Sequence, residues 1–489
     1  MRPFLKPLII LVSVLLSGGA PAPAQAQTYY VDGFAAGGGD GSPSRPYDTL
    51  SRAVEQVPPG STLIIRSGSY PALPPIQKKL TLREEGGLVC IGAVDAALMA
   101  WYDPTNGNWR KEHEDHWWWQ SAHALTTLID YMIRTGNRCN ARVVGYTYDK
   151  NKGKDYTFHP GHDEDFNNFY IDDSGWWGLA WIRAYDLTSE SRYLDAARKV
   201  ADWMWVRGKG WDMSEDNKCG GGLWWQAEPP PVDYQPAPNE DRRTKNAITQ
   251  ELFIKLAASL HNRLPGDTEY LRQAQVIWDW FNSSDMMPLR ELRLTNDRPL
   301  IWDSLYDERP DDYGMVHTNC HDARFIWTYS QGAILGALVE LYRATGDATM
   351  LNEAERIANA AIDSTRPEID RRIVYPQGST NQGVLRELGE EANGCSTNQN
   401  CGINSTNNAA ATFKGVFVRN LRELYDQNKA LGRSTHTWAS FLKKQRESVI
   451  ANARTATGDF GFFWTGPVRE VSFATTASAI DALNAASGL

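Results

Sequence analysis

The sequence predicts a mainly α-helical protein, an (α/α)6 toroid of six helical hairpins, preceded by a small β-rich segment. From about Cys90 onward, apolar residues recur at three- and four-residue spacing between turns marked by glycine. A similar unit also recurs near residues 135, 190, 266 and 346, where a helix end is followed by a polar turn and a new helix. Such repetition indicates antiparallel helix pairs stacked on one another, because one pair alone cannot bury its apolar faces.

The pattern predicts about twelve helices, and six pairs of inner and outer helices would close into a ring with the long polar loops at one mouth. An open α-solenoid has the same local pattern, so closure of the ring is an inference. The predicted helices are 93–103, 117–135, 139–150, 173–188, 190–206, 245–263, 267–282, 324–345, 347–364, 407–427, 434–455 and 473–486.

The chain divides into a predicted signal peptide (1–26), an accessory segment (27–90) and a helical domain (91–489). The accessory segment is rich in Gly and Pro and has short alternating apolar runs, TLIIR and LTLR, between turns. Together with its YYVDG start, these runs resemble the opening of right-handed parallel β-helix proteins of the pectate-lyase type. At about 60 residues it is too short for a complete lyase groove, and a solenoid usually needs three or more coils.

The composition excludes some functions. The formal charge is −9 over 489 residues, so nothing supplies the positive field that nucleic acids require. The aromatic residues include 19 Trp and 20 Tyr against 15 Phe, a bias that suits stacking on sugars as well as a helical core with Trp at its edges.

The amino terminus predicts export. A basic start is followed by an apolar run from Leu8 to Leu16 and by small residues ending at Ala26, as in a cleaved signal peptide. No later apolar segment approaches the roughly 20 residues needed to span a bilayer, and the final residues have no hydrophobic tail. We therefore expect a secreted or periplasmic protein without a membrane span, and a monomer.

Six cysteines in an exported chain can form disulfides. Cys395 and Cys401 bracket a short polar stretch, so they are predicted to close a small loop. The remaining four allow three pairings, and the sequence does not choose among them. These are Cys90, Cys139, Cys219 and Cys320.

The strongest local feature is Asp172-Asp173, at the start of an apolar helix that also bears Trp176. Acidic residues at a helix start are often simple caps, and Asp311-Asp312 repeats the dipeptide in a predicted solvated loop. Asp172 and Asp173, in contrast, are flanked by aromatic residues on the predicted inner wall of the toroid. Low dielectric and mutual repulsion there can keep one carboxyl protonated while the other is charged. A retaining glycosidase requires such a pair, whereas an inverting enzyme fits adjacent residues less well.

Several motifs in this order resemble glycoside hydrolase family 76, the endo-α-1,6-mannanases with an (α/α)6 toroid. They include WWWQSAHALTTLIDYMIRTGN, IDDSGWWGLAWIRAYDLT, CGGGLWWQ, KNAITQELFIKLAASL, WTYSQGAILGALVELYRATGD and GDFGFFWTGP. The resemblance covers about 400 residues. It implies that Asp172 is the nucleophile and Asp173 the general acid/base. It also implies a functional acidic residue at Asp303. The sequence around Asp303 departs from the family motif, and a long insertion before Lys245 is a second departure.

Other residues at predicted loop ends and inner-helix starts are candidates for substrate binding. Each has a purely structural alternative: a core tryptophan after a turn, an ordinary helix cap, or a satisfied buried polar network. The candidates are Trp176, Trp224, Trp225, Lys245, Asn246, Asp303, Tyr329, Gln331 and Trp464.

No metal or cofactor is predicted. Three histidine pairs stand close in sequence, but each is more often a local hydrogen-bonding group than a ligand set, and no phosphate-binding glycine loop follows a strand. The pairs are His113 and His116, His159 and His162, and His317 and His321.

The sequence therefore predicts a secreted retaining endo-α-1,6-mannanase that acts on α-mannan without a cofactor. Two alternatives remain open at this point. The protein could be a transglycosylase acting on α-mannan or wall glycans, in which a second sugar takes the place of water. It could also be a non-catalytic toroid that only binds glycans.

Overall fold

A computed structural model describes residues 27–73, 76–109, 117–154, 165–208, 221–227, 244–283, 300–306, 309–310, 316–317, 321–323, 326–366, 372–387, 390 and 409–489. The chain forms two compact units. The first comprises the described residues up to Thr105 together with Arg138–Arg142, and the second comprises Asn106–Asn137 and Val143–Leu489. The first unit thus extends beyond residue 90, where the sequence places the end of the accessory segment.

The first unit contains a three-stranded parallel sheet in the order β1-β2-β3. The short helix α1 begins where the Thr49 side chain accepts a hydrogen bond from the Arg52 amide at 3.3 Å, and its buried face packs on the sheet. Cys90 and Cys139 form a disulfide with 6.2 Å between their Cα atoms. Cys219, Cys320 and the predicted Cys395–Cys401 pair lie outside the described residues. The resemblance of this segment to a β-helix stays a prediction. Its elements are β1 (Thr28–Val31), α1 (Leu50–Gln56), β2 (Thr62–Tyr70), β3 (Thr81–Ile91), α2 (Asp95–Met99) and β4 (Tyr102–Asp103).

The rest of the described chain is mainly helical, as predicted. Its helices are α3 (Trp117–Thr135), α4 (Ala141–Asn151), α5 (Ile171–Thr188), α6 (Ser191–Arg207), α7 (Ala247–His261), α8 (Glu269–Ser283), α9 (Thr328–Thr345), α10 (Ala348–Ala361), α11 (Phe413–Ala430), α12 (His436–Ser448) and α13 (Phe473–Ala485). The short strands are β5 (Asn108–Trp109), β6 (Thr244–Asn246), β7 (Ser304–Tyr306), β8 (Arg309–Pro310), β9 (Val316–His317) and β10 (His321–Ala323).

The helices of the second unit form a closed ring. The inner helices α3, α5, α7, α9, α11 and α13 each pack against the next, and α13 packs back against α3. This contact excludes the open solenoid. The outer helices α6, α8 and α10 each pack against the inner helix that precedes them. Among the described residues the ring has six inner and five outer helices.

Glycines let neighbouring inner helices approach closely. A Cβ atom on Gly332 of α9 would lie 2.4 Å from the Cα atom of Phe417 in α11, and one on Gly415 of α11 would lie 2.7 Å from the Cα atom of Ser478 in α13. Both distances are too short for any side chain, so these positions set the spacing on one side of the ring.

The inner helices α3, α5, α7, α9 and α11 surround a cavity of about 200 Å³ whose lining includes several charged side chains. Lys255 pairs with Glu423 at 2.8 Å and Arg134 with Asp426 at 3.2 Å. Cations at the carboxyl ends of helices also interact favourably with the helix dipoles. The opposite mouth, where the inner helices begin, contains the candidate site. No helix within the described ranges combines the length and apolarity needed to cross a bilayer.

Candidate active site

Asp172 and Asp173 lie in the first turn of α5, and Tyr170 before them provides no side-chain cap. Asp172 accepts hydrogen bonds at Oδ1 from the Asp173 amide at 3.0 Å and from Trp225 Nε1 at 3.2 Å. Its other oxygen, Oδ2, accepts from Asn246 Nδ2 at 3.0 Å. A simple helix cap would need only the first of these bonds. The two side-chain donors fix the carboxylate in one orientation.

Asn246, one of the donors to Asp172, is oriented by α7, the helix that it caps. Asn246 is the N-cap residue of α7, and its Oδ1 accepts from the Thr249 amide at 3.3 Å. That bond leaves Nδ2 to point at Asp172. One side chain therefore begins α7 and positions the carboxylate on α5.

Asp173 is held from the loop that precedes α5. Asn168 Nδ2 donates to Asp173 Oδ2 at 3.1 Å, while Asn168 Oδ1 accepts from the Tyr170 amide at 3.1 Å. The Asn168 amide donates in turn to the Ser174 hydroxyl at 2.7 Å. Asn168 therefore joins the loop to the first turn of α5 and holds the Asp173 carboxyl group in place.

Burial and hydrogen bonding shift the pKa values of the two carboxyl groups unequally. Burial raises the pKa of Asp172 to about 6, and the donors Asn246, the Asp173 amide and Trp225 limit that rise because they stabilise the charged form. Burial raises the pKa of Asp173 well above its usual range, and the charge on Asp172 raises it further. These shifts favour Asp172 as the group that loses its proton first and Asp173 as the group that keeps its proton.

Backbone hydrogen bonds join the segments that bear these groups. The Ile171 amide donates to the Trp225 carbonyl at 2.8 Å, and the Trp225 amide donates to the Thr244 carbonyl at 2.8 Å. Strand β6 then pairs antiparallel with β7, with Asn246 opposite Ser304. The ends of three loops are in this way fixed around the start of α5.

Asp303, just before β7, adds another carboxyl group to the site. Burial raises its pKa to about 6, although hydrogen bonds from Ser304 and Tyr329 favour the charged form. The Tyr329 ring stacks on Phe413 with centroids 3.8 Å apart. The charges of Asp303 and Asp172 both act on the Tyr329 hydroxyl, whose pKa burial raises well above its usual range. Asp172, Asp173, Trp225, Asn246, Asp303 and Tyr329 are therefore the predicted residues that the structure brings together.

Lys245 and Gln331 are placed differently from the prediction. Lys245 is fully buried, donates to the Gly221 carbonyl at 2.7 Å and lies 4.2 Å from the Trp224 ring centroid. Gln331 is also fully buried and bonds both the amide and the carbonyl of Ile301, at 2.8 Å each. Neither side chain presents a free polar group at the mouth. Both hold loops, which is the structural alternative stated above.

The three other predicted tryptophans, Trp464, Trp176 and Trp224, differ in their burial and in what their rings contact. Trp464 is only 1% exposed, so its ring packs inside the protein and does not line a groove. Trp176 is 5% exposed and lies one turn below Asp172, with its ring 4.2 Å from His123, so it forms the floor beneath the aspartates. Trp224 remains half-buried at the end of the loop that Lys245 holds.

Sequence reasoning missed Glu251 and Asn168. Glu251 on α7 is fully buried, and neither carboxylate oxygen has a hydrogen-bond partner in the described structure. Burial, together with the charge of Asp303, raises its pKa well above its usual range. A charged residue among the apolar positions of an inner helix was the available signal for Glu251. For Asn168, the signal was its place just before the aspartate pair.

The histidine pairs add no described ligand set. His113, His116, His159 and His162 lie outside the described residues, and His317 and His321 are described only as members of β9 and β10. Within the described part of the chain, no group of three or more His, Cys, Asp or Glu side chains could hold a metal ion.

Gln331→Leu is expected to lower the free energy of unfolding by about 2–4 kcal/mol, because it leaves the buried amide and carbonyl of Ile301 without partners. Gln250→Leu is expected to act alike, since Gln250 bonds the Leu223 amide at 2.8 Å and carbonyl at 2.7 Å. Denaturant unfolding measures both. The half-buried Gln382 bonds only the exposed Gly378 amide, at 3.0 Å, so Gln382→Leu is the control. Equal losses for all three variants would contradict the loop-holding role.

Comparisons with known proteins identify the family of the chain. The model of glycosyl hydrolase family 76 matches residues 92–487. The mannan endo-1,6-α-mannosidase DCW1 of Eremothecium gossypii is 23% identical over 346 residues, which are 69% of this chain and 64% of that protein. The mannan endo-1,6-α-mannosidase DFG5 of Saccharomyces cerevisiae is 24% identical over 261 residues, 52% of this chain and 50% of that protein. The matches thus span between half and just under two thirds of these relatives.

Solved structures share the fold. One is an inactive variant of the α-1,6-mannanase GH76A of Salegentibacter sp. HEL1_6, with two consecutive aspartates replaced by asparagine, in complex with α-1,6-mannotriose. The GH76A structure and this chain superpose with a TM-score of 0.57 and are 22% identical. The match covers 81% of this chain and 97% of the GH76A chain. Dfg5 from Chaetomium thermophilum in complex with glucosamine has a TM-score of 0.54 at 16% identity, over 77% of this chain and 81% of that chain. The family model covers most of the sequence, and the chain therefore belongs to glycosyl hydrolase family 76.

Proposed function

We propose that the protein hydrolyses internal α-1,6-mannosidic bonds of α-mannan by double displacement, with retention of configuration. The observation that supports this most is a pair of adjacent carboxyl groups held by different donors, Asp172 by Trp225 and Asn246 and Asp173 by Asn168. A retaining glycosidase needs one charged nucleophile and one protonated acid, about 5–5.5 Å apart. The relatives named above as α-1,6-mannanases and mannan endo-1,6-α-mannosidases support the choice of substrate.

In the first step, Asp172 attacks the anomeric carbon and forms a glycosyl ester, while the glycosidic bond breaks. Asp173 gives its proton to the departing oxygen, so the leaving sugar departs as a neutral alcohol. In the second step, water attacks the anomeric carbon and the ester bond breaks. Asp173 takes the proton from that water, which restores both groups and gives the α-anomer of the product. No external reactant besides water is needed.

Asn246 and Trp225 have a defined part in this scheme. Their hydrogen bonds stabilise the Asp172 carboxylate and keep its pKa below that of Asp173. They also fix the direction of attack. Asp303 and Tyr329, beside them, are proposed to contact sugar hydroxyls, and Trp224 is proposed to line the same mouth.

Export is part of the proposal. The first 26 residues have the charge, apolar and small-residue order of a signal peptide. We propose that the mature enzyme acts outside the cytoplasm, where a polymeric mannan is accessible.

The test is purified protein on linear α-1,6-mannan, with the products sized over time. Early release of short oligosaccharides from the polymer interior is expected. Binding without cleavage would support the glycan-binding alternative, and products longer than the substrate would support the transglycosylase.

The pH profile of kcat/KM is expected to be bell-shaped. The rate falls below about pH 6, where Asp172 gains a proton, and falls again at higher pH, where Asp173 loses its proton. Asn246→Ala removes a donor to the charged form, so the acid limb is expected to move upward by about one pH unit. It also removes a helix cap, at a cost of about 0.5–2 kcal/mol, so assays are made well below the unfolding temperature.

Trp225→Phe is the matched control, because it removes the other side-chain donor to Asp172 without touching the cap. Its acid limb is expected to move in the same direction. An acid limb that stays in place in both variants would contradict the assignment of that limb to Asp172.

A further inference from the structure

Lys245 and Asn246 are neighbours in β6, and their side chains lie on opposite faces of that strand. Asn246 faces the site, where its Nδ2 donates to Asp172. Lys245 faces the other way, where it is fully buried and donates to the Gly221 carbonyl at 2.7 Å. Its place in the strand explains why Lys245 does not reach the mouth of the ring.

The segment that contains Trp225 lies against this strand and has the same two-sided arrangement. The Trp225 amide donates to the Thr244 carbonyl at 2.8 Å, and Trp225 Nε1 donates to Asp172 Oδ1 at 3.2 Å. The preceding ring, that of Trp224, lies against Lys245, with its centroid 4.2 Å from Lys245 Nζ. A slip of one residue between the two segments would exchange these faces and turn the Trp225 indole away from the carboxylate.

Lys245 holds this segment together with Trp280. Its ammonium group lies 4.2 Å from the ring centroid of Trp224 and 5.5 Å from that of Trp280. Cations bind well to the faces of indole rings once water is excluded. A Cβ atom on Gly221 would lie 2.4 Å from Trp280 Cδ1, so only glycine fits at that position. The start of the segment is therefore fixed by Lys245 on its carbonyl and by Trp280 against its Cα atom.

We propose that Lys245 is a positioning residue for the nucleophile, because it fixes the register in which the Trp225 indole donates to Asp172. This inference rests on the proposed function, which makes Asp172 the nucleophile. Strand β6 then supplies both side-chain donors of that carboxylate, Asn246 directly and Trp225 through Lys245. The role differs from substrate binding, since the buried Lys245 side chain acts only through its neighbours.

The first test observes the hydrogen bond itself and needs no substrate. In protein that contains isotope-labelled tryptophan, the NMR signal of the Trp225 indole N–H is identified by its absence in Trp225→Phe. Lys245→Met removes the cation and its donors and keeps an unbranched chain. It is expected to shift the Trp225 signal toward that of a free indole and to speed its exchange with water. A signal unchanged in position and exchange would overturn the proposal.

The second test is a double-mutant cycle on kcat/KM for α-1,6-mannotetraose. Lys245→Met alone is expected to lower this value about tenfold, the size of one hydrogen bond to a charged group. In the Trp225→Phe background it is expected to cause no further loss, because the bond through which it acts is already gone. The same loss in both backgrounds would show that Lys245 acts by its charge or by general stability, and would overturn the proposal.

Lys414→Met is the matched control, because Lys414 is also fully buried and donates to a backbone carbonyl, that of Phe462, at 2.6 Å. It is expected to leave the Trp225 signal in place and to give equal losses in both backgrounds. An equal shift of the signal in Lys414→Met would contradict a specific role for Lys245. Lys245→Gln, which is uncharged but can still donate to the Gly221 carbonyl, is expected to give a smaller shift of the same kind and replaces Lys245→Met if that variant does not fold.

The two tests separate this inference from the proposed function. Wild-type protein that does not cleave the tetraose would overturn the proposed function, while the indole signal would still decide whether Lys245 positions Trp225. Cleavage by the wild type without the expected change in the indole signal would overturn the role of Lys245 alone.

Discussion

Asp172→Asn is expected to lower turnover of α-1,6-mannan by on the order of 10⁴-fold or more, because the amide cannot form the glycosyl ester through which the reaction passes. The replacement has nearly the same shape, and its one oxygen keeps one of the two side-chain hydrogen bonds, from Trp225 or from Asn246. Folding and glycan binding should therefore persist. Initial rates with reducing-end detection, together with a binding isotherm for mannotetraose, measure both properties.

Azide gives a sharper test of this role. In Asp172→Asn, azide can attack α-1,6-mannobiosyl fluoride from the face that the carboxylate occupied and give a β-mannosyl azide. Asp312→Asn, in the second Asp-Asp pair of the sequence, is the control and is expected to keep wild-type turnover. Retention of more than about a tenth of wild-type activity in Asp172→Asn would contradict its role as nucleophile.

Asp173→Asn is expected to lower mannan turnover by roughly 10²–10⁴-fold, the range typical of a lost general acid/base. The loss should depend on the leaving group. A sugar alkoxide needs the proton, whereas fluoride needs less help, so the first step with α-1,6-mannobiosyl fluoride should be slowed far less. Burst kinetics separates the two steps, because the ester accumulates when no base activates water.

Azide also identifies Asp173. An anion needs no base to attack the ester, so azide is expected to restore turnover in Asp173→Asn and to give an α-mannosyl azide, the opposite anomer from that of Asp172→Asn. The alkaline limb of the pH profile should disappear at the same time, since Asp173 sets it. Exchanged azide anomers between the two variants would show that the two roles are reversed.

Much of the fold was predictable because helix periodicity is local. The predicted helices 117–135 and 173–188 agree with α3 and α5 within two residues at either end. Closure of the ring could not be predicted from local sequence, because it depends on the contact between α13 and α3, which are distant in sequence. The segment 93–103 is helical only over Asp95–Met99, because its apolar residues are shared with the turn and strand that follow.

The aspartate pair could be predicted because two acidic residues among aromatic residues conflict with an ordinary apolar helix. The sequence could not show that Lys245 and Gln331 are buried and hold loops, because a polar residue at a helix start has the same local sequence whether it faces a ligand or holds a loop. Which role it has depends on the backbone groups of distant residues, such as Gly221 and Ile301.

The configuration of the first product tests the central claim most directly. NMR spectra recorded during the first minutes of mannotetraose hydrolysis, before mutarotation, show which anomer forms first. The charged Asp172 and protonated Asp173 predict the α-anomer, which then equilibrates toward the mixture. Initial appearance of the β-anomer would show that water attacks directly and that no ester forms on Asp172, which would contradict the proposed mechanism.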